Sequence, residues 1–264
     1  MEGNVMMRIY AAGTEYEEKA LKLKEALSER KTEDTDGICT LVRDPEELGK
    51  KERYLRLNEK GLTLVEGKLE LRGDFRQLLP RVLDGHLQHE KLLRAARSRD
   101  LPDHPMAVDA TAGLGEDAFI LACSGYSVVL CEYNPVIAAL LEDTLERAKK
   151  DPDLAGFARR MQLIKEDGVS VLRHLDRNPD LVYLDPMFPA RQKAGMSKKK
   201  LQLLKKLEMP CAREEELMAA AQAARPGRIV VKRPVKGPVL AGKRPSHSIE
   251  CKNVRFDCYV NPRC

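Results

Sequence analysis

The sequence predicts an α/β fold: a doubly wound, mostly parallel sheet with a C-terminal antiparallel hairpin, plus a small N-terminal α+β unit. Three observations carry this. From Ala107 onward, short apolar runs alternate with amphipathic stretches across glycine or proline turns, the pattern of a parallel sheet covered by helices on both faces. The first 76 residues lack that alternation. The closing segment "SIECKNVRFDCYV" reads as two strands turning near Asn253.

The elements follow in order. "EYEEKALKLKEALSER" (Glu15–Arg30) carries Ala20, Leu23, Ala26 and Leu27 at helical spacing. "YLRLNEKGLTLVEGKLELRGDF" (Tyr54–Phe75) alternates apolar and polar positions around two turns, which predicts a short antiparallel meander. Residues 1–76 are therefore expected to form the α+β unit. "LLPRVLDGHLQHEKLLRAARSRD" makes 77–104 a helical connector, which "LPDHP" ends. The main domain is then 105–264. Its strands are "MAVDAT", "SVVLCEY", "RMQLIKED", "LVYLDP" and "RIVVKRP". Its helices are "GEDAFILACSG", stopping at Gly125, then "NPVIAALLEDTLERAKK", "GVSVLRHL", "KKKLQLLKKL" and "REEELMAAAQAA". Asn134 is placed to cap the second of these, with Pro135 at its first position.

Composition narrows the class. At 43% hydrophobic the chain can build a packed core, and with 5% aromatic residues and no Trp that core is mainly aliphatic. Lys and Arg exceed Asp and Glu by 46 to 41, a mild excess that permits a nucleic-acid partner without arguing for one. The seven Cys form no C-x-x-C pair, and no His/Cys cluster has zinc spacing, so neither a disulfide framework nor a metal is expected. No apolar run reaches membrane-spanning length, and the N-terminus lacks a signal-peptide layout, so no membrane and a cytoplasmic location are expected.

"VDATAGLGEDA" follows the first strand of the main domain and opens its first helix. Gly113 and Gly115 allow close backbone approach, and the helix start supplies free N–H donors. Gly113–Ala118 also fits the G-x-G-x-x-A dinucleotide fingerprint, and a glycine turn here can serve packing alone. Asp109 ends the strand ahead of the loop. An acid there is unhelpful to a pyrophosphate but suits a ligand with an ammonium group and no phosphate, such as S-adenosyl-L-methionine. Glu132 ends the next strand, where an acid can accept bonds from ribose hydroxyls. Asp167 and Gly168, in "KEDG", stand beside the adenine position, with Asp167 also placed to cap a helix.

"LVYLDPMFP" ends the fourth strand on Asp185, so that acid faces the same crevice. An exocyclic amino group on a base is a poor nucleophile because its lone pair is delocalised. The Asp185 carboxylate and a backbone carbonyl of the Asp185-Pro186 turn can accept its two N–H bonds and orient it. Pro186 fixes the turn. Phe188 can stack on the base, a contact worth about 1–3 kcal/mol in comparable sites. The alternative is a tight strand exit with a core Phe.

Next comes "ARQKAGMSKKKLQLLKKL", with Arg191, Lys193, Lys198, Lys199, Lys200, Lys205 and Lys206 and no acid. It is either a solvated helix face around Leu201, Leu204 and Leu207 or a phosphate-binding rim. "VVKRPVKGPVLAGKRP" adds Lys232, Arg233, Lys236, Lys243 and Arg244. Two basic loops at one sheet edge favour RNA or DNA over a small metabolite.

Together "DATAGLGEDAF", "NPVIAALLEDTL", "VYLDPMFP" with its following "RQK", and "VVKRP" resemble the class I S-adenosylmethionine-dependent methyltransferases of the small-subunit ribosomal RNA methyltransferase J family, over about residues 105–260. The resemblance implies a Rossmann-like fold, S-adenosyl-L-methionine as cofactor, and a guanine N2 amino group of 16S ribosomal RNA or the small ribosomal subunit as target. It implies cofactor contacts at Glu116 and Asp117, at Glu132 and Tyr133, at Asp167 and Gly168, and at Asp185. Only the resemblance selects guanine, since adenine N6 or a protein glutamine would suit the same acid-proline turn. An NAD-dependent oxidoreductase is the reading from another class, and a non-catalytic RNA-binding module a third. The intact set Asp109, Gly113, Gly115 and Glu132 argues against the last.

Overall fold

In the computed structural model the described residues are 7–29, 39–83, 85–98, 101–186, 203, 207 and 213–260. The N-terminal elements are β1 (Arg8–Ala11), α1 (Glu17–Ser28), β2 (Thr40–Val42), β3 (Arg53–Asn58), β4 (Gly61–Glu66) and β5 (Leu69–Leu71). Then come α2 (Leu79–Val82), α3 (Lys91–Ala96), β6 (Met106–Asp109), α4 (Glu116–Cys123), β7 (Ser127–Cys131), α5 (Pro135–Lys150) and α6 (Ala155–Ala158). The rest are β8 (Met161–Ile164), α7 (Gly168–Arg173), β9 (Leu181–Leu184), α8 (Glu214–Ala223), β10 (Arg228–Pro234), β11 (His247–Glu250) and β12 (Val254–Val260).

The chain divides into two compact units, one from 1–73, 134–147 and 189–209, the other from the remaining segments. The first holds a five-stranded sheet in the order β2-β1-β3-β4-β5. Its β3-β4-β5 half is the antiparallel meander that the alternating pattern predicts. β1 pairs parallel to both β2 and β3. A parallel pair needs a crossover, and α1 lies between β1 and β2 in the chain to supply it. Asp143, on the part of α5 in this unit, is buried and accepts from Lys19 Nζ (2.7 Å), Arg147 Nε (2.8 Å) and the Leu62 amide (3.0 Å). Burial alone would raise its carboxyl, but these donors hold it below its usual range. Asn134 caps α5 as expected, its Oδ1 accepting from Val136 and Ile137 N–H at 3.0 and 3.2 Å.

The second unit holds a seven-stranded sheet in the order β11-β12-β10-β9-β6-β7-β8. Strands β8, β7, β6, β9 and β10 are mutually parallel, and β12 is antiparallel to β10 and β11, which gives the expected C-terminal hairpin. The chain runs from β6 outward to β8, then recrosses to β9 and continues the other way. That reversal between β6 and β9 is the switch point where an open α/β sheet presents its crevice. Every residue of β9 is buried, as a central parallel strand requires. Val108, Val182, Leu184, Ile229 and Val231 pack in one cluster with Val169 and Leu172 of α7 and Leu217 and Met218 of α8. The scarce aromatics gather on α4, where Phe119 stacks on Phe75 (4.6 Å) and meets Phe157 edge-on (5.9 Å).

The connector is less regular than the sequence predicts. In place of a continuous helix it has α2, α3 and two single 3-10 turns at Phe75–Leu78 and His86–His89. Pro80 lies in the first turn of α2, and Gly85, at φ +78°, breaks the run in the left-handed region.

The long loop from β10 to β11 is pinned from inside. Arg255 Nη1 donates to the carbonyls of Pro234 (2.9 Å), Val235 (2.8 Å) and Gly237 (2.8 Å), while its Nε and Nη2 hold buried Asp257 at 2.8 and 3.0 Å. Arg255→Met would strip Asp257 of its counter-charge and leave three carbonyls without their donor. It is expected to cost about 3 kcal/mol or more, read as a lowered denaturant midpoint; an unchanged midpoint would show that the pair does not hold the loop.

Candidate active site

The loop from β6 to α4 is tied to the strands on both sides. Ala110 N–H donates to the Tyr183 carbonyl and Ala112 N–H to the Cys131 carbonyl, both at 3.1 Å. Gly113 N–H donates to the Glu132 carboxylate at 3.0 Å. Gly113 and Gly115 hold φ values of +52° and +74°, which a side chain disfavours. Gly168, at the start of α7, packs so closely on the Ala110 carbonyl that an added Cβ would collide with it. Gly113, Gly115 and Gly168 thus shape the floor of the crevice.

Carboxylates converge at the strand ends. Asp109 is 1% exposed and accepts the Thr111 N–H at 3.1 Å. Asp117 lies in the first turn of α4, where its Oδ2 accepts from Tyr183 Oη and Lys232 Nζ, each at 2.6 Å. The same Lys232 Nζ is 2.9 Å from Asp185 Oδ2. Register explains the meeting: Val231 of β10 pairs with Leu184 of β9, so one step further sets Lys232 beside Asp185. Asp185 N–H donates to Thr111 Oγ1 at 2.6 Å, which ties the Asp185-Pro186 turn to the glycine loop.

These neighbours set the charges. Burial, with Asp117 and Asp185 nearby, pushes the Asp109 carboxyl up to about 8. Burial works on Asp117 in the same sense, but the Lys232 ammonium and the bonds from Lys232 and Tyr183 outweigh it and hold Asp117 below its ordinary value. Asp185 is raised, by burial first and by Asp117, with Lys232 opposing. Lys232 itself is raised, the two carboxylates overcoming its own burial.

Asp109, Gly113, Gly115, Asp117, Glu132, Gly168 and Asp185 all lie at the carboxyl ends of β6, β7, β8 and β9 or in the turns and first helical turns that follow them. Asp167 occupies the N-cap position of α7, yet its side chain makes no capping bond and pairs instead with Arg213 at 3.3 Å. Glu116 is exposed and Tyr133 is 49% exposed. Pro186 is buried at the end of β9. Phe188 and the basic run Arg191, Lys193, Lys198, Lys199, Lys200, Lys205 and Lys206 lie outside the described residues. The second basic loop requires a correction. Lys232 belongs to the crevice, and Arg233 is buried against Glu214 (3.1 Å) and the Pro238 carbonyl (3.0 Å). Lys236, Lys243 and Arg244 alone of that set are exposed. Sequence reasoning missed Lys232, Tyr183 and Thr111 as site residues. A lysine one residue past a buried apolar run was the available signal, and it was grouped with its basic neighbours.

With Asp109 protonated up to about pH 8, the acids Asp117, Glu132 and Asp185 stand against Lys232 among the described residues, a balance that suits a cationic, phosphate-free ligand better than a pyrophosphate. The chemistry of the crevice therefore fits S-adenosyl-L-methionine, a cation without phosphate.

Strand order, glycine loop and acid-lined crevice together define a Rossmann-like S-adenosylmethionine-dependent methyltransferase fold. A family profile described as "Putative SAM-dependent methyltransferase" matches residues 47–261. A ribosomal RNA small subunit methyltransferase J from Thioalkalivibrio sulfidiphilus is 46% identical over 176 residues, covering 66% of this chain and 69% of that protein. One of the same name from Pseudomonas aeruginosa is 47% identical over 156 residues, 59% of this chain and 60% of that one. The matched stretch thus spans about three fifths to two thirds of these relatives' length. A crystal structure of a SAM-dependent methyltransferase from Neisseria gonorrhoeae superposes with a TM-score of 0.69 at 28% identity, covering 96% of both chains. The chain belongs to this family of SAM-dependent methyltransferases, and its cofactor is S-adenosyl-L-methionine. The nicotinamide reading of Gly113–Ala118 is set aside. Among the described residues no helix is long and apolar enough to cross a membrane.

Asp109 gives this site a pH signature. Its carboxyl is ionised in the unfolded chain above its ordinary value of 3.8 but stays protonated in the fold up to about 8. Folding takes up a proton between those values, so the stability it contributes is full below the lower one and lost as pH rises through the higher. Against Asp109→Asn, the wild type is expected to lose about 1 kcal/mol of relative stability per pH unit from pH 5 to 8. Thermal melts of both proteins across that range check this; parallel curves would contradict it.

Proposed function

We propose that this chain methylates the N2 amino group of a guanosine in 16S ribosomal RNA, as free RNA or within the small ribosomal subunit. The observation that carries the reading is Asp185. It stands at the carboxyl end of β9 with its backbone tied to Thr111 and its carboxylate on Lys232, yet its side chain is 40% exposed to the crevice. A held but accessible acceptor is what orienting an aromatic amino group requires. The similarity to the proteins named ribosomal RNA small subunit methyltransferase J supports ribosomal RNA as the substrate class.

When bound, S-adenosyl-L-methionine supplies a methyl group on a positively charged sulfur. Glu132 would hold it at the hydroxyls, with Asp117, Tyr133, Asp167 and the Gly113–Gly115 turn completing its cradle and exposed Glu116 at the rim. Asp109, protonated in the fold up to about pH 8, shapes the floor of that cradle. Asp185 accepts one N–H of the guanine amino group, and a carbonyl of the Asp185-Pro186 turn accepts the other. With its N–H bonds so directed, the nitrogen lone pair is aimed for in-line attack, and the contribution is chiefly one of positioning. As the new C–N bond forms the nitrogen becomes acidic, and its proton leaves along the hydrogen bond to Asp185 or to water. Phe188, three residues on in the sequence, supplies the ring for stacking on the base. The exposed Lys236, Lys243 and Arg244 add phosphate contacts.

Methyl-labelled cofactor, purified chain and unmodified small subunits or 16S ribosomal RNA test this by nuclease digestion and mass spectrometry. The expected product is N2-methylguanosine, formed on the order of a hundredfold or more slowly by Asp185→Asn. Label recovered in N6-methyladenosine or in protein would overturn the choice of acceptor.

A further inference from the structure

Lys232 lies in the "VVKRP" motif, where the sequence places it among the phosphate-binding charges. Its surroundings assign it elsewhere. The Lys232 side chain is 25% exposed, and its ammonium lies 2.6 Å from Asp117 and 2.9 Å from Asp185. Asp117 is anchored independently by Tyr183 Oη at 2.6 Å. The relay therefore starts on a rigid support: Tyr183 in β9 fixes Asp117 on α4, Asp117 fixes Lys232 on β10, and Lys232 reaches the end of β9 at Asp185.

We propose that Lys232 is a positioning residue for methyl transfer, its ammonium seated on Asp117 and holding the Asp185 carboxylate ionised and oriented as acceptor for the target amino group. Lys232 engages Oδ2 of Asp185, so the incoming N–H is directed to Oδ1. The titratable and charged groups around Asp185 are Asp109 on β6, Asp117 on α4, Tyr183 on β9, and Lys232 and Arg233 on β10, with Arg81 acting on Asp117. Burial and Asp117 drive Asp185 toward its neutral form, and Lys232 is the strongest opposing charge. A protonated Asp185 would present an O–H where the amino group needs an acceptor. Without Lys232, Asp117 and Asp185 would face one crevice with no cation between them, and two such carboxylates share a proton.

The proposal rests on the acceptor role of Asp185 described above, and its test is separable from that role. Aspartate labelled with 13C at the carboxyl allows titration of Asp185 in wild type, Lys232→Met and Lys232→Arg, with Asp185→Asn assigning the signal. In Lys232→Met the Asp185 midpoint is expected to rise by at least one pH unit, and in Lys232→Arg to return toward wild type. At saturating cofactor, single-turnover methyl transfer should show its acid limb displaced by the same amount in Lys232→Met. Equal Asp185 midpoints in all three proteins would overturn the proposal whatever RNA the enzyme modifies. So would a rate loss in Lys232→Met that is uniform with pH at saturating cofactor. Failure to find N2-methylguanosine would instead sink the choice of acceptor and leave the titration result standing.

Discussion

One ammonium between two carboxylates organises the crevice. Lys232 draws together α4 through Asp117 and the end of β9 through Asp185, while itself belonging to β10. Removing a cation from such a buried cluster costs more than the pair contributes, because the remaining acids are left without compensation. The elements around it serve to hold its geometry. Parallel register sets Lys232 beside Asp185, the Arg255 clamp fixes the chain after β10, and Thr111 binds the Asp185 amide to the glycine loop.

The same electrostatics account for the ligand. Helix N-termini beside glycine loops commonly receive phosphates. Here Asp117 and Glu132 stand at the loop, and its Gly113 N–H is already given to Glu132. The positive end of α4 is offset by the protein's own acids, and a cation fits where a pyrophosphate would not. Fold and charge thus separate this site from the dinucleotide-binding proteins whose glycine spacing it shares.

Much of the architecture was legible because parallel sheets write themselves locally. Each β-turn-α step after residue 105 showed its own apolar run, glycine stop or Asn134 cap. β1 and β2 were not legible: they are four and three residues long, too short for alternation to show. The connector looked helical because its apolar spacing is helical, but Pro80 and Gly85 broke it into turns. At the site, the acids and glycines stood out because each ends a strand or starts a helix. Lys232, Tyr183 and Thr111 did not, because what makes them functional is register between strands far apart in sequence. No local pattern tells a lysine that bridges two partly buried acids from one that faces solvent.

In the proposed function Asp185 serves the target amino group, and the acids and glycines of the loop serve the cofactor. Calorimetric titration of S-adenosylhomocysteine into the wild type and Asp185→Ala tests that division most directly. Affinity retained in the variant, with methyl transfer abolished, is the predicted result. Affinity lost along with transfer would place Asp185 at the cofactor and contradict the account.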